Sequence, residues 1–247
     1  MNLATTSAGH CKLCGLSSDF VDAHIVPRSF YPDRAKGDDA LIVVNSRPGA
    51  RNSRSRIGIY DERMLCRSCE ERFSIYDDYA AKLLVELRGD WQTVLRDGEP
   101  LAYRIENFHY SKLKIFCLFL LWRAAATDRV EFGGVKLGTF MERLTELLLS
   151  EDPGNPEEFS PFIARFSDVT SWQSGMISPF REKYDGVSVY RFVVGAYVIY
   201  IKVDSQKLKS PFDGLAVHPQ APLIVMARQF HGGPEYEVLR AMVRAKM

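Results

Sequence analysis

The sequence has no hydrophobic run long enough to cross a bilayer, no surplus of either charge and no internal repeat or low-complexity segment. Its longest apolar run, Ile115 to Trp122, is bracketed by Lys112, Lys114 and Arg123. That is far short of the roughly 20 residues a spanning helix needs, so a buried helix and no membrane partner are expected. The opening residues, Met1 to Gly9, are polar and lack the apolar segment of a secretory signal, so a cytoplasmic protein is expected. Thirty-two basic and thirty-one acidic residues leave a net charge of +1. No global field therefore favours nucleic acid or an anionic surface, and any such preference must come from a local patch. Hydrophobic residues at 46% and charged residues at 26% are ordinary for a globular chain. A length of 247 residues allows one large domain or two smaller ones.

Cysteine is scarce as well, and its placement carries information. Four of the five cysteines form two Cys-x-x-Cys pairs, Cys11 with Cys14 and Cys66 with Cys69. The fifth, Cys117, sits inside the apolar run and reads as a small buried hydrophobe. A reducing compartment disfavours disulfides, so paired thiols point to metal. Zinc takes four soft or borderline ligands in a tetrahedron, and two such turns supply them. A site closed by four cysteines has no open position, so this zinc would be structural. Fifty-one residues separate Cys14 from Cys66, which fits a knuckle, an inserted hairpin and a helix. Cys69 would lie in the first helical turn, where the dipole favours a thiolate. That order is the treble-clef arrangement. The alternatives are two redox or incidental pairs, or replacement of one thiol by His10 or His24.

Local patterns divide the rest of the chain. Phe20 to Val26 and Ala40 to Val44 read as strands, and residues 45–58 as an Arg-, Ser-, Asn- and Gly-rich loop. Ser68 and Glu71 fit a capping box opening a helix, with Phe73, Tyr76, Ala80, Leu83, Leu84 and Leu87 as its core stripe and Gly89 as its stop. Residues 108–127 predict a helix apolar almost all round. Thr139 and Glu142 form a second capping box, opening a helix to Ser150 with Met141, Leu144 and Leu148 inward. From Pro161 the pattern is β-rich: Phe162 to Phe166, Val187 to Val203 interrupted by Gly195, and Leu223 to Arg228, with a turn at Asp185-Gly186. A last helix is expected over Glu235 to Lys246. The fold class expected is α+β. A zinc module over residues 1–90 precedes a helical and β-rich domain over residues 91–247.

The segment Ala23-His24-Ile25-Val26-Pro27-Arg28-Ser29 resembles the H-I-x-P segment of zinc-containing HNH endonucleases, which also lies between two Cys-x-x-Cys pairs. The resemblance covers about the first third of the chain. It implies a ββα-metal fold holding one Mg or Mn ion, and hydrolysis of nucleic-acid phosphodiesters with DNA favoured. His24 matches the general-base histidine. Ala23 stands where the family often has a metal ligand, and Asp22, on the same strand face as His24, is the nearest substitute. The family's middle Asn falls at Asp61, with Asn45 as a more distant alternative. The final histidine falls at Glu70, a hard-oxygen donor suited to Mg or Mn. Helix-terminus stabilisation would equally account for Glu70. Tyr60-Asp61, Leu65 to Glu70 and Tyr76 to Tyr79 also resemble bacterial HNH-like proteins suspected of antiphage defence.

Four arginines and no acid lie between residues 47 and 56: Arg47, Arg51, Arg54 and Arg56. Their forked donors suit phosphate, and Arg28 and Arg67 would extend the patch. A solvated loop is the plain alternative. Asp77 and Asp78 read as exposed or arginine-paired. Trp91, Trp122 and Trp172 read as core. Two functions follow: a metal-dependent nuclease with a nucleic-acid partner, or a catalytically inactive zinc module that binds nucleic acid or a protein. In either, the C-terminal part could engage a protein partner.

Overall fold

Residues 187–194 and 197–202 are buried at every position, and such strands need cover on both faces. The protein is described from a computed structural model, which covers residues 9–16, 19–31, 41–45, 53–55, 58–86, 90–168, 175–237 and 240. The N-terminal strands are β1 (Ala23–His24), β2 (Leu41–Val44), β3 (Ser53–Ser55) and β4 (Tyr60–Asp61). After them come β5 (Gln92–Arg96), β6 (Glu99–Ile105), β7 (Pro161–Phe166), β8 (Gly175–Tyr184), β9 (Val187–Val194), β10 (Tyr197–Lys202) and β11 (Leu223–Arg228). The α-helices are α1 (Arg67–Ala81), α2 (Tyr110–Ala126) and α3 (Phe140–Ser150). An α+β protein is the result.

Nine strands form one mixed sheet in the order β3-β2-β8-β9-β10-β7-β11-β6-β5, while β1 and β4 make a separate antiparallel pair. Alternation sorts the sheet's side chains. Ile163, Phe192, Val194, Ile199, Ile201 and Val225 join the core that also holds α1 and α2. Their neighbours Phe162, Ala164, Phe166, Val189, Val193, Val198 and Tyr200 form a second cluster, covered by Phe180, Leu208, Phe212 and Tyr236. β2 and β3 come from before residue 90 and yet extend the sheet built by the C-terminal half. The sheet therefore runs across the expected domain boundary.

Several expectations need adjustment. The strand over Phe20 to Val26 shrinks to β1 and a single bridge from Phe20 to Cys66. Residues 45–58 include β3, paired with β2. Helix α1 starts earlier than Ser68: Cys66 is its N-cap, so the expected capping box does not form. Thr139 does cap α3, but its hydroxyl makes no capping bond. Five strands were not foreseen: β3, β4, β5, β6 and β8. β5 is exposed along its whole length and shows no apolar alternation, although Asp97 and Gly98, both at positive φ, make the hairpin turn to β6. β8 carries Pro179 and several charges, and it tolerates the proline through a register shift between Ile177 and Phe180. The Val187 to Val203 run is two strands, turned at Gly195 with φ 54°. At the C-terminus residues 234–237 and 240 are helical; Leu87, Gly89, Trp172 and the remainder of that helix lie outside the described residues.

Two of the three charges that bracket the apolar run are not at the surface. Lys114 and Arg123 are both fully buried within α2. Lys114 Nζ donates to the Glu158 carbonyl at 2.6 Å. Arg123 donates to both carboxylate oxygens of Asp77 at 2.7 and 2.9 Å, and its guanidinium stacks on Phe119. Such a pair is costly to break from one side, by about 3–5 kcal/mol.

Burial pushes the Lys114 amine down to about 8. An unfolded lysine titrates near ~10.4. Between those values the unfolded chain binds more protons, so stability rises with pH through that window. Lys114→Met should remove this rise, on the order of 3 kcal/mol. Urea unfolding of wild type and variant from about pH 7.5 to pH 10.5 measures the difference. Parallel pH profiles would show that the amine is not held as described.

Candidate metal centre

Backbone pairing closes the fifty-one-residue gap between the two thiol pairs. In the first turn the Gly15 N–H donates to the Cys11 carbonyl at 2.8 Å, and Gly15 adopts the left-handed φ of 74° that suits glycine. The Lys12 N–H then donates to the Met64 carbonyl at 2.9 Å, and the Arg67 N–H to the Asp19 carbonyl at 2.8 Å. These bonds lay the first turn beside the segment that enters α1. Cys66 caps that helix and Cys69 lies in its first turn.

The four sulfurs all lie within 4.8 Å of one another. Cys14 Sγ and Cys66 Sγ are 3.8 Å apart. Zinc–sulfur bonds of about 2.3 Å in a tetrahedron place sulfurs about 3.8 Å apart, so the spacing suits a metal ion such as zinc. No disulfide forms, and Cys11, Cys66 and Cys69 are buried while Cys14 is half-buried. Burial, with neighbouring thiols adding, pushes the Cys69 thiol far up, and burial also raises Cys14. A divalent cation offsets that cost by stabilising the thiolates. The Ser68 hydroxyl lies 3.2 Å from Cys66 Sγ and is placed to donate to a thiolate there. Lys12 Nζ fastens the first turn to the end of α2, donating to the Ala126 carbonyl at 2.8 Å and to Asp128 at 2.6 Å. This is the one group of three or more potential ligands so gathered among the described residues.

The candidate catalytic residues lie around this centre. β1 carries His24 and β4 runs antiparallel to it, with His24 opposite Tyr60 and Ala23 opposite Asp61. Side chains alternate between faces along a strand, so Asp61 points away from the face that His24 shares with Tyr60. Asp61 instead accepts from the Thr127 hydroxyl at 2.7 Å, the Arg63 N–H at 2.9 Å and the Asp128 N–H at 3.4 Å. Those bonds, which hold its carboxyl below the usual range against the pull of burial, secure the end of α2. The imidazole packs against Tyr60 and the backbone of Gly58, where a Cβ would lie 3.3 Å from the ring. Asp22 is exposed, and Asn45 is buried.

Glu70, one residue past Cys69, has a buried Oε2 with no hydrogen-bond partner among the described residues. Burial pushes its carboxyl up; Arg123 opposes the shift and Asp77 adds to it. Asp77 was expected to be exposed or arginine-paired, and the pairing is what occurs. Burial raises its carboxyl while Arg123 and the nearby His24 imidazole pull it back. Asp78 is exposed. Arg123 itself was missed, because a cation at the end of an apolar run reads as a boundary. Its one signal was the Asp77-Asp78 pair on the neighbouring helix.

Of the arginine patch, Arg28 is exposed on a 3-10 turn, Arg28–Phe30, and Arg67 pairs with Asp19 at 3.0 Å. Arg54 lies in β3; Arg47, Arg51 and Arg56 lie outside the described residues. Comparison with protein families, curated proteins and solved structures finds no match to this chain.

Cys66→Ser should abolish tight zinc binding and destabilise the protein by more than the about 2–5 kcal/mol of an ordinary core truncation. Zinc content after gel filtration and thermal unfolding with and without chelator check this. Equal stability in both states would remove the metal from the account.

Proposed function

We propose that the chain is a metal-dependent nuclease of the HNH-like type, whose four cysteines hold a structural zinc ion. The observation that carries this reading is an order of elements: the β1–β4 pair bearing His24, then directly α1, which is capped by Cys66 and bears Cys69 and Glu70. His24 takes the proton of the attacking water, a task suited to an imidazole at neutral pH. Asp77, in place of Asp61, is the carboxylate that stabilises the imidazolium as it forms. Glu70, with one oxygen unpartnered, is the acidic group for Mg or Mn. Those ions keep several waters and need one or two carboxylates rather than a full protein cage. A bound ion would polarise the phosphate and the leaving oxygen. Arg28 and the arginines of residues 47–56 would contact the phosphate backbone, with DNA as the favoured substrate.

One observation favours a second reading. Asp61 and Asp77 are both engaged in bonds that hold α2, and no second cluster of three ligands occurs among the described residues. On this reading the chain is an inactive zinc module that binds nucleic acid or a protein.

A nicking assay on supercoiled plasmid and on single-stranded DNA, in magnesium, manganese or EDTA, separates the two. The nuclease reading expects metal-dependent cutting that His24→Ala lowers by about 100-fold or more while zinc content is unchanged. Binding without cutting in any metal would favour the inactive module, and cutting indifferent to His24→Ala would remove His24 from the nuclease reading.

A further inference from the structure

Outside the arginine patch read from the sequence, a further arginine meets the His24 face. Arg129 follows the end of α2 and is exposed. Its Nε donates to the Tyr60 carbonyl at 2.7 Å, and its guanidinium lies over the Tyr60 ring, 5.5 Å from the centroid. Tyr60 stands opposite His24 in the β1–β4 pair, with the two rings 6.0 Å apart. One tyrosine thus packs against both the guanidinium and the imidazole.

The backbone of Arg129 is fixed on both sides. Its N–H donates to the Thr127 hydroxyl oxygen at 3.2 Å, and its carbonyl accepts from the Phe132 N–H at 3.0 Å. The Thr127 hydroxyl in turn donates to Asp61 at 2.7 Å. Asp61, turned away from His24 by the strand register, still serves that face by holding the segment that carries Arg129. The side chain itself is anchored at Nε alone. Its two terminal nitrogens have no hydrogen-bond or ion-pair partner among the described residues. The adjoining acid, Asp128, is matched by Lys12 at 2.6 Å. A guanidinium held at Nε and stacked on a ring keeps a fork of donors free, and such a fork fits phosphate oxygens. Because the side chain is already ordered, binding loses little of its rotamer freedom.

We propose that Arg129 is a phosphate-binding residue of the His24 site, its terminal nitrogens gripping the nucleic-acid backbone where it crosses the face shared by His24 and Tyr60. This rests on the reading of that face as the one that meets nucleic acid, and it does not require the phosphodiester to be cut. The site is then completed by a residue beyond the first third of the chain, where the cysteine pairs and the His24 segment lie.

Fluorescence anisotropy of the zinc-loaded full chain with a short duplex DNA, without magnesium or manganese, tests this in Arg129→Gln. Binding should weaken about tenfold, and the slope of log affinity against log salt should fall by about 0.9, the share of one phosphate contact. Arg96→Gln removes the same charge from exposed strand β5, at the other end of the sheet from β2 and β3, and should leave both quantities unchanged. Arg129→Lys should keep the slope and lose part of the affinity, because an ammonium retains the charge but not the fork. Thermal unfolding of each variant identifies a purely structural role, since a residue that only braced Tyr60 would lower Tm and leave the salt slope alone. A slope unchanged in Arg129→Gln overturns the proposal, even where cutting depends on His24. An equal fall in Arg96→Gln, or a wild type that binds no DNA, overturns it too. Arg129-dependent binding without cutting in any metal upholds the proposal and sinks only the nuclease reading.

Discussion

The rest of the N-terminal architecture depends on four sulfurs drawn together across a long stretch of chain. Fifty-one residues intervene between the thiol pairs, and two inter-segment bonds, Lys12 to Met64 and Arg67 to Asp19, bring the ends side by side. Four thiols crowded within 4.8 Å and mostly buried are poor company for one another. As thiolates they repel; as thiols they bury weak donors. A divalent cation turns that arrangement into a closed coordination site, and its binding energy becomes folding energy. The β1–β4 pair is then held at the front of α1, and the imidazole of His24 is brought near the acidic face of that helix.

A second constraint ties this unit to the core. Arg123 is fully buried in an otherwise apolar helix, and its guanidinium is satisfied chiefly by Asp77. Asp61 grips the end of the same helix through Thr127. Lys12, in the first cysteine turn, reaches that end as well. Three polar contacts thus join the cysteine-bearing N-terminal unit to α2, which also packs on α3 and the sheet. A carboxylate used in this way is less free for chemistry, and that tension lies between the two functional readings.

Much of this was legible in the sequence, for identifiable reasons. Cys-x-x-Cys spacing is a local property, and the four cysteines that cluster were readable one by one. Long periodic segments such as 108–127 and 187–203 announced a buried helix and paired strands, because their periodicity reflects the surfaces they cover. What was not legible depended on tertiary pairing. β8 hides its strand character behind Pro179 and a run of charges, and β5 has no buried face to impose a pattern. The assignment of Asp61 as partner of His24 followed a family spacing, whereas the strand register turns the two side chains to opposite faces. Asp77, the acid that does lie near the imidazole, sits one helical stretch further on, where spacing to the cysteines gives no signal.

The central claim is that these four sulfurs share one zinc ion, and X-ray absorption at the zinc edge tests it most directly. The account predicts one zinc per chain with a shell of four sulfurs at about 2.3 Å and no nitrogen or oxygen neighbour. A protein free of metal, or a shell in which imidazole or carboxylate replaces sulfur, would contradict it.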